Sequence, residues 1–184
     1  MQPFEFISVF VSIIISFALA HLLNGIAHII ENGYTRFSFL LAHWVGFCFA
    51  LCIGYWFAIW QTREQADWTF VYVGLVLLQG SLIYIASRLV VPAPSNDDPI
   101  DLSAFFDRHR RKFMGVIAAG AIVNVVTHLA LRGFAPTLLG AMVVLWVLLA
   151  LIGFLWSAKP VQYAVASANI ALSAWYATTF IVAL

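Results

Sequence analysis

Long apolar runs separated by short polar connections dominate the chain. Six of the runs reach or approach the ~20 residues that a helix needs to cross the hydrocarbon core of a bilayer. Because lipid offers no partners to backbone N–H and C=O groups, each run is predicted to be a helix. The predicted spans are Phe4–Ile30, Phe37–Trp60, Trp68–Val91, Phe113–Leu131, Thr137–Ser157 and Val161–Leu184.

The connections leave no room for a soluble domain, so we predict an all-α polytopic membrane protein of six transmembrane helices. Residues 1–184 would form a single bundle. Residues 1–91 would form its first three-helix half, residues 92–112 a cytoplasmic loop and residues 113–184 its second three-helix half. Composition agrees with this class, since 64% of the residues are hydrophobic, only 9% are charged and the mean hydropathy is +0.98.

A short polar pattern occurs once in each half at a constant offset. Three spans in each half would place related halves in the membrane with opposite orientations, as in many transporters and channels. The competing explanation is that apolar helices resemble one another by composition, so the inverted 3+3 repeat is a hypothesis. The paired residues are Asn24, His28, Gly33 and Tyr34 in the first half and Asn124, His128, Gly133 and Phe134 in the second.

Basic residues are distributed unevenly between the two predicted sides of the membrane. The second and fourth loops receive Arg63 and Arg132, whereas the first, third and fifth loops receive the other seven. The positive-inside rule predicts that the richer side is cytoplasmic, with both termini periplasmic in a bacterial inner membrane. No basic residue precedes the first apolar run, which we therefore interpret as a retained helix. The seven residues are Arg36, Arg88, Arg108, Arg110, Arg111, Lys112 and Lys159.

The third connection is the longest, and it changes character along its length. Its prolines predict extended or turning backbone up to Pro99. From Asp101, apolar residues recur at three- and four-residue steps opposite charged ones, which predicts a short interfacial amphipathic helix before the fourth span. The helix would bind anionic membrane lipids or would simply anchor the loop. The lipid-binding candidates are Arg108, Arg110, Arg111 and Lys112.

Two short motifs resemble a group of short, six-helix bacterial inner-membrane proteins. They are Glu5–Ser8 at the start of the first run, and Asp101-Leu102 followed by His109–Phe113. The resemblance implies a membrane location and six helices. The group has no established activity, so the resemblance carries over no site residue.

Polar side chains inside apolar spans are functional candidates because each is costly in lipid. Our first hypothesis is a channel or transporter with a polar cavity between the halves for a small solute or a proton. The Asn–His pairs would form its inner and outer ends, while Glu5 and His21 would tune protonation. Alternatively, the histidines would interact favourably with the helix dipole at C-terminal helix ends, and Glu5 would do so at an N-terminal end. The cavity candidates are Glu5, His21, Asn24, His28, Asn124 and His128.

Histidine side chains also suggest a second hypothesis, in which the protein is a haem- or quinone-binding redox protein. His21, His28 and His43 are the candidate ligands for haem or a metal. Against this hypothesis, the chain contains no HxxxH or HExxH spacing. The solute-path hypothesis needs no cofactor.

A third hypothesis is a non-catalytic accessory subunit or homo-oligomer that docks through the sixth span. Small residues there would let another helix approach closely. They are Ala164, Ser167, Ala168, Ala171, Ala174 and Ala177. No nucleotide-binding or DNA-binding motif is present, so we expect no nucleic-acid partner and favour a non-enzymatic role.

Some remaining side chains are assigned to packing. Glu5, Ser8, Ser12 and Ser16 lie within about 80° of one another on one stripe of the first span, and we favour helix packing for the serines over ligand binding. Cys48 and Cys52, one turn apart, are predicted to be packed thiols. Three tryptophans away from the predicted interfaces are expected to line the bundle, namely Trp44, Trp56 and Trp146.

Overall fold

The computed structural model describes residues 3–65, 68–92, 99–132 and 138–181. Within these ranges the chain forms six α-helices and two very short strands, which confirms the all-α class. The sixth helix continues as a π-helical turn, Ala177–Ile181. The elements are α1 (Pro3–Asn32), β1 (Tyr34–Arg36), α2 (Phe39–Trp60), α3 (Phe70–Val90), β2 (Ile100–Asp101), α4 (Leu102–Arg132), α5 (Leu138–Leu155) and α6 (Lys159–Tyr176).

Five of the described helices, α1 to α5, are long and apolar enough to cross a membrane. The chain is thus a helical protein suited to a membrane, but α6 does not meet the same criteria over its described residues. Gln162, Asn169 and Ser173 interrupt its apolar character, and much of the rest is alanine. A sixth span stays a prediction, as do the bacterial inner membrane and the periplasmic termini.

The helices pack around a ring in the order α1, α3, α4, α5, α6, α2 and back to α1. α2 also contacts α3 and α4, so one of its faces lies in the core. That face buries Trp44 and Phe47 together with Cys48 and Cys52, which are free thiols as predicted. The expectation that Trp44 lines the bundle is confirmed.

The pairing of the helices differs between the two halves of the chain. α1 packs along α3, whereas the equivalent second-half pair, α4 and α6, makes at most a marginal contact over the described residues. The Gly133 and Phe134 members of the paired motif lie outside the described residues. The inverted repeat therefore gains no support from the packing and stays a prediction.

Contacts between loops show which ends of the helices lie together. β1 in the first loop pairs in parallel with β2 in the third, aligning Tyr34 with Ile100. Arg110, near the start of α4, donates to the carbonyl oxygen of Gly153 near the end of α5, at 2.7 Å. The first, third and fifth loops therefore share one end of the bundle, as the charge pattern predicts. We call this end, which carries the seven basic residues, the basic face.

The predicted interfacial helix is not a separate element, which corrects the boundary drawn at residue 112. α4 runs without a break from Leu102 to Arg132, so the amphipathic segment and the fourth span are one helix of 31 residues. No proline or glycine lies between Asp101 and Phe113, so nothing interrupts the i→i−4 hydrogen bonds. The Asp101 carboxylate accepts from the backbone N–H of Ala104 at 2.9 Å, as a helix cap does.

Gly25 on α1 permits the closest approach between α1 and the end of α3. A Cβ atom added there would lie 2.7 Å from the Cβ and Cγ2 atoms of Val91. We expect Gly25→Ala to lower the free energy of unfolding by roughly 1–3 kcal/mol, because overpacking strains a closed contact. Thermal unfolding in detergent measures the effect. Gly46→Ala is the control, since a Cβ there meets nothing within 4 Å; equal midpoints for the two variants would contradict the prediction.

Candidate functional site

The candidate cavity residues near the two ends of α1 bond within their own helix or lie on its surface. Glu5 is exposed in the first turn, and its carbonyl oxygen accepts from the Ser8 hydroxyl at 2.9 Å. Asn24 is exposed, and the half-buried His28 accepts from the side-chain amide of Asn32 at 2.7 Å. These groups therefore point to surface or local roles more than to a shared cavity.

His21 differs from the other candidates on α1, because it faces a neighbouring helix. Its ring is half-buried, and its Nε2 atom is buried without a hydrogen-bond partner. The charged Arg88 at the end of α3 lies near the ring. His21 is therefore a polar group between α1 and α3, beside a positive charge.

The second-half candidates, Asn124 and His128, lie on α4 and are half-buried. α4 packs against α3 and α5, so these side chains belong to a different part of the ring from Asn24 and His28. None of the six predicted cavity residues lines the surface groove described below or the small recess beside it. The solute path stays a prediction.

The histidines of the haem hypothesis also stay untested. His43 on α2 donates its Nδ1–H to the carbonyl oxygen of Phe39 at 2.8 Å, and its ring meets the edge of Tyr163 at 6.1 Å. His21 and His28 lie on α1, as above. Across the part of the chain that the structure describes, no group of three or more His, Cys, Asp or Glu side chains is placed to hold a metal ion.

An open groove between α1 and α2 is a feature that sequence reasoning missed. Its volume is about 490 Å³. The serine stripe forms much of its α1 wall, and two tryptophans form its α2 wall. The lining residues are Ser8, Val9, Ser12, Ile13, Ser16, Phe17, Trp56 and Trp60.

Contacts among these side chains fix the shape of the groove. The indole rings of Trp56 and Trp60, one turn apart on α2, stack with centroids 5.6 Å apart and planes inclined by 20°. Trp56 also donates its Nε1–H across the groove to the Ser12 hydroxyl at 3.3 Å. Because the serine side chains are small, they leave the groove unfilled, and the two indole rings form its opposite wall.

The groove ends beside charged residues of the second loop. The Arg63 guanidinium lies over the Trp60 ring, 5.6 Å from its centroid, and pairs with the Glu64 carboxylate at 3.4 Å. Phe4 also contacts Trp60, with ring centroids 6.0 Å apart. The groove therefore runs from a charged, aromatic rim toward the apolar middle of α1.

Two sequence interpretations change as a result. Trp56 does not line the interior of the bundle: it is 38% exposed and borders the outer groove. The serine stripe is only partly a packing surface, because Ser12 accepts from Trp56 on α2 whereas Ser16 is exposed. The signal was present as two four-residue repeats, the Ser8–Ser16 stripe and the Trp56–Trp60 pair, but only packing places them opposite each other.

The basic face contains a second organised cluster, built around the end of α5. Arg110 donates to the carbonyl oxygens of Gly153 at 2.7 Å and Trp156 at 3.4 Å. Gln162 donates to the same two oxygens at 2.8 and 2.6 Å. Arg110 thus caps a helix, while its role in binding lipid stays a prediction.

The other lipid-binding candidates remain available at the surface. Arg108, Arg111 and Lys112 are exposed, and the Arg111 guanidinium lies 5.3 Å from the centroid of the Phe154 ring. Arg111 thus also contacts α5. Binding of anionic lipid by these three residues stays a proposal.

Comparison with known proteins gives no match to a family model, to a curated protein or to a solved structure. This result is consistent with the uncharacterised group that the two motifs resemble. Function must therefore be argued from the groove and the clusters themselves.

The cap on α5 gives a direct test of the role of Arg110. We expect Arg110→Met to destabilise the protein by about 1 kcal/mol, because Gln162 still donates to both carbonyl oxygens. For a chain of this size, that corresponds to a fall of about 2–4 °C in the unfolding midpoint. Arg108→Met is the matched control, since Arg108 is exposed. If the two variants unfold at the same temperature, Arg110 is not a structural cap.

Proposed function

We propose that the protein is an integral membrane protein that binds an amphiphilic, lipid-like molecule in the α1–α2 groove. The observation that carries the proposal is the groove itself, whose volume of about 490 Å³ lies within the range usual for small-molecule sites. Its walls are mainly apolar and aromatic, with three hydroxyl groups along one side. Such a surface suits a ligand with a long apolar part and few polar atoms.

The length of the groove supports a ligand that occupies one leaflet. From Ser8 to Phe17 the helix rises about 14 Å at 1.5 Å per residue. Half of a hydrocarbon core about 30 Å thick is about 15 Å. The apolar part of the ligand would therefore lie along α1 from the interface to the middle of the membrane.

Polar groups supply an orientation for the bound molecule. Arg63 at the rim would face the polar head, and tryptophans such as Trp60 favour the membrane interface. The Ser12 hydroxyl accepts from Trp56, so its own proton is available for a carbonyl oxygen on the ligand. Esters and quinones both carry such an oxygen, so phospholipid and isoprenoid quinone belong to the proposed class.

Photolabelling tests this proposal. Purified protein in vesicles would be irradiated with a phospholipid that carries a diazirine on its acyl chain, and the labelled peptides identified by mass spectrometry. We expect labelling to concentrate on the groove segments of α1 and α2. Replacing Ser12 and Ser16 together by leucine should reduce that labelling at least threefold, because the larger side chains fill the groove.

Ala141→Leu on α5 is the matched control, because it adds the same bulk at an exposed position outside the groove. It should leave labelling of α1 and α2 unchanged. Labelling that follows exposure evenly around all helices would refute a specific groove site. Organic extraction of the purified protein, followed by mass spectrometry, separates the two ligand types: a co-purified quinone would favour the redox hypothesis over a lipid-binding role.

A proton path is a second proposal, and His21 supports it. The buried Nε2 atom beside Arg88 is the kind of group that proton pathways use. Proton flux into proteoliposomes under an imposed pH gradient provides the test. We expect His21→Leu to abolish most of the flux and His43→Leu, at a more exposed ring bonded to its own helix, to leave it intact. Wild-type flux no greater than that of empty liposomes would end this proposal.

A further inference from the structure

Several polar atoms of α5 and α6 are buried without a hydrogen-bond partner from the protein. Gln162 and Asn169 are each only 1% exposed. Their side-chain nitrogens donate to backbone carbonyls, but their oxygens are left over. Buried polar groups in a membrane protein are costly unless they are satisfied. Within the described ranges, the unpartnered atoms of these two helices are Gln162 Oε1, Asn169 Oδ1, Ser173 Oγ and Trp146 Nε1.

The three α6 residues lie on one line of the helix, which faces α5. At about 100° per residue, Gln162, Asn169 and Ser173 fall within about 40° of one another. Gln162 fixes the direction of this line, because it donates to the Gly153 and Trp156 carbonyl oxygens at the end of α5. Asn169 and Ser173 therefore project into the same α5–α6 seam.

The antiparallel register brings Trp146 to the same part of the seam. A Cβ atom at Gly153 would lie 3.3 Å from Val165 Cγ1, so seven residues farther along each helix Trp146 lies level with Leu172, within one turn of both Asn169 and Ser173. The Trp146 ring contacts the Tyr176 ring with centroids 5.7 Å apart. Its indole thus extends along the stretch of α6 between Asn169 and Tyr176, where Ser173 lies.

The chemistry of these groups selects the ligand. The indole nitrogen only donates, the amide oxygen only accepts, and the hydroxyl does both. A cation gains nothing from the N–H group, and an anion is disfavoured by the amide oxygen. We infer that water is bound in the α5–α6 seam, held by Trp146, Asn169 and Ser173. A buried water molecule makes about three hydrogen bonds, and these side chains offer that number.

Gln162 extends the hydrated seam to the basic face. Its free Oε1 atom lies at the level where α5 ends, about 10 Å along α6 from Asn169 at 1.5 Å per residue. Water at this level is close to the fifth loop and hence to solvent. The seam is independent of the lipid-like ligand, whose groove lies between α1 and α2.

Radiolytic footprinting tests for bound water directly. X-ray irradiation produces hydroxyl radicals from water, including water buried in a protein, and mass spectrometry locates the oxidised side chains. In the purified protein in detergent, we expect Trp146 to be oxidised at least threefold faster than Phe47, which lies in the dry core and is 2% exposed. Oxidation of Trp146 no faster than that of Phe47 would overturn the inference.

Variants of α6 distinguish oxidation of Trp146 by bound water from oxidation that results from its partial exposure. Asn169→Leu combined with Ser173→Ala removes both α6 partners and should reduce oxidation of Trp146 at least threefold. Ser87→Ala is the control, because that buried hydroxyl bonds to the carbonyl oxygen of Ile83 on α3, away from the seam. If the double variant does not fold, Ser173→Ala alone removes one partner with little change in volume and should still halve the rate. An unchanged rate in a folded seam variant would also overturn the inference.

Discussion

The carbonyl groups at the end of α5 need donors at the edge of the membrane, and the second half of the bundle is arranged around the side chains that provide them. Arg110 from α4 and Gln162 from α6 donate to the same two oxygens. One helix end thus binds three consecutive helices at the basic face. Because an unsatisfied carbonyl costs far more in lipid than in water, this polar junction helps to fix how α4, α5 and α6 cross.

The outer surface of the bundle has two kinds of region, an apolar surface that suits lipid tails and the groove between α1 and α2. α5 exposes Leu145, Leu148 and Leu155, large side chains that lipid tails cover without loss. The α1 surface alternates such residues with serines, and the stacked indoles of α2 keep a groove open over them. Lipid tails offer no hydrogen bond to the serine hydroxyls, whereas a ligand with polar atoms can bond to them. A specific ligand would therefore gain contacts in the groove that bulk lipid tails do not offer.

The length of the apolar runs predicted the helices, and the distribution of basic residues predicted which loops share an end. Both signals depend only on whether a segment lies in lipid or in water. The continuity of α4 could also have been read from the absence of a helix breaker between Asp101 and Phe113. Two features could not be found in this way. The groove needs Trp56 and Ser12 to meet across two helices, and the cap needs Arg110 to reach an element 43 residues away. Periodicity places residues on a face but does not say which face meets which.

The low hydropathy of α6 follows from where its polar residues point. A span is usually recognised by the average of its residues, yet lipid contacts only its outer face. Gln162 and Asn169 are buried in the bundle, where Gln162 caps α5. The mean hydropathy of a segment cannot distinguish a helix whose polar residues face the bundle from a helix that lies outside the membrane. The buried polar side chains of α6 are therefore surrounded by other helices, and they are stable there only when their remaining oxygens are bonded.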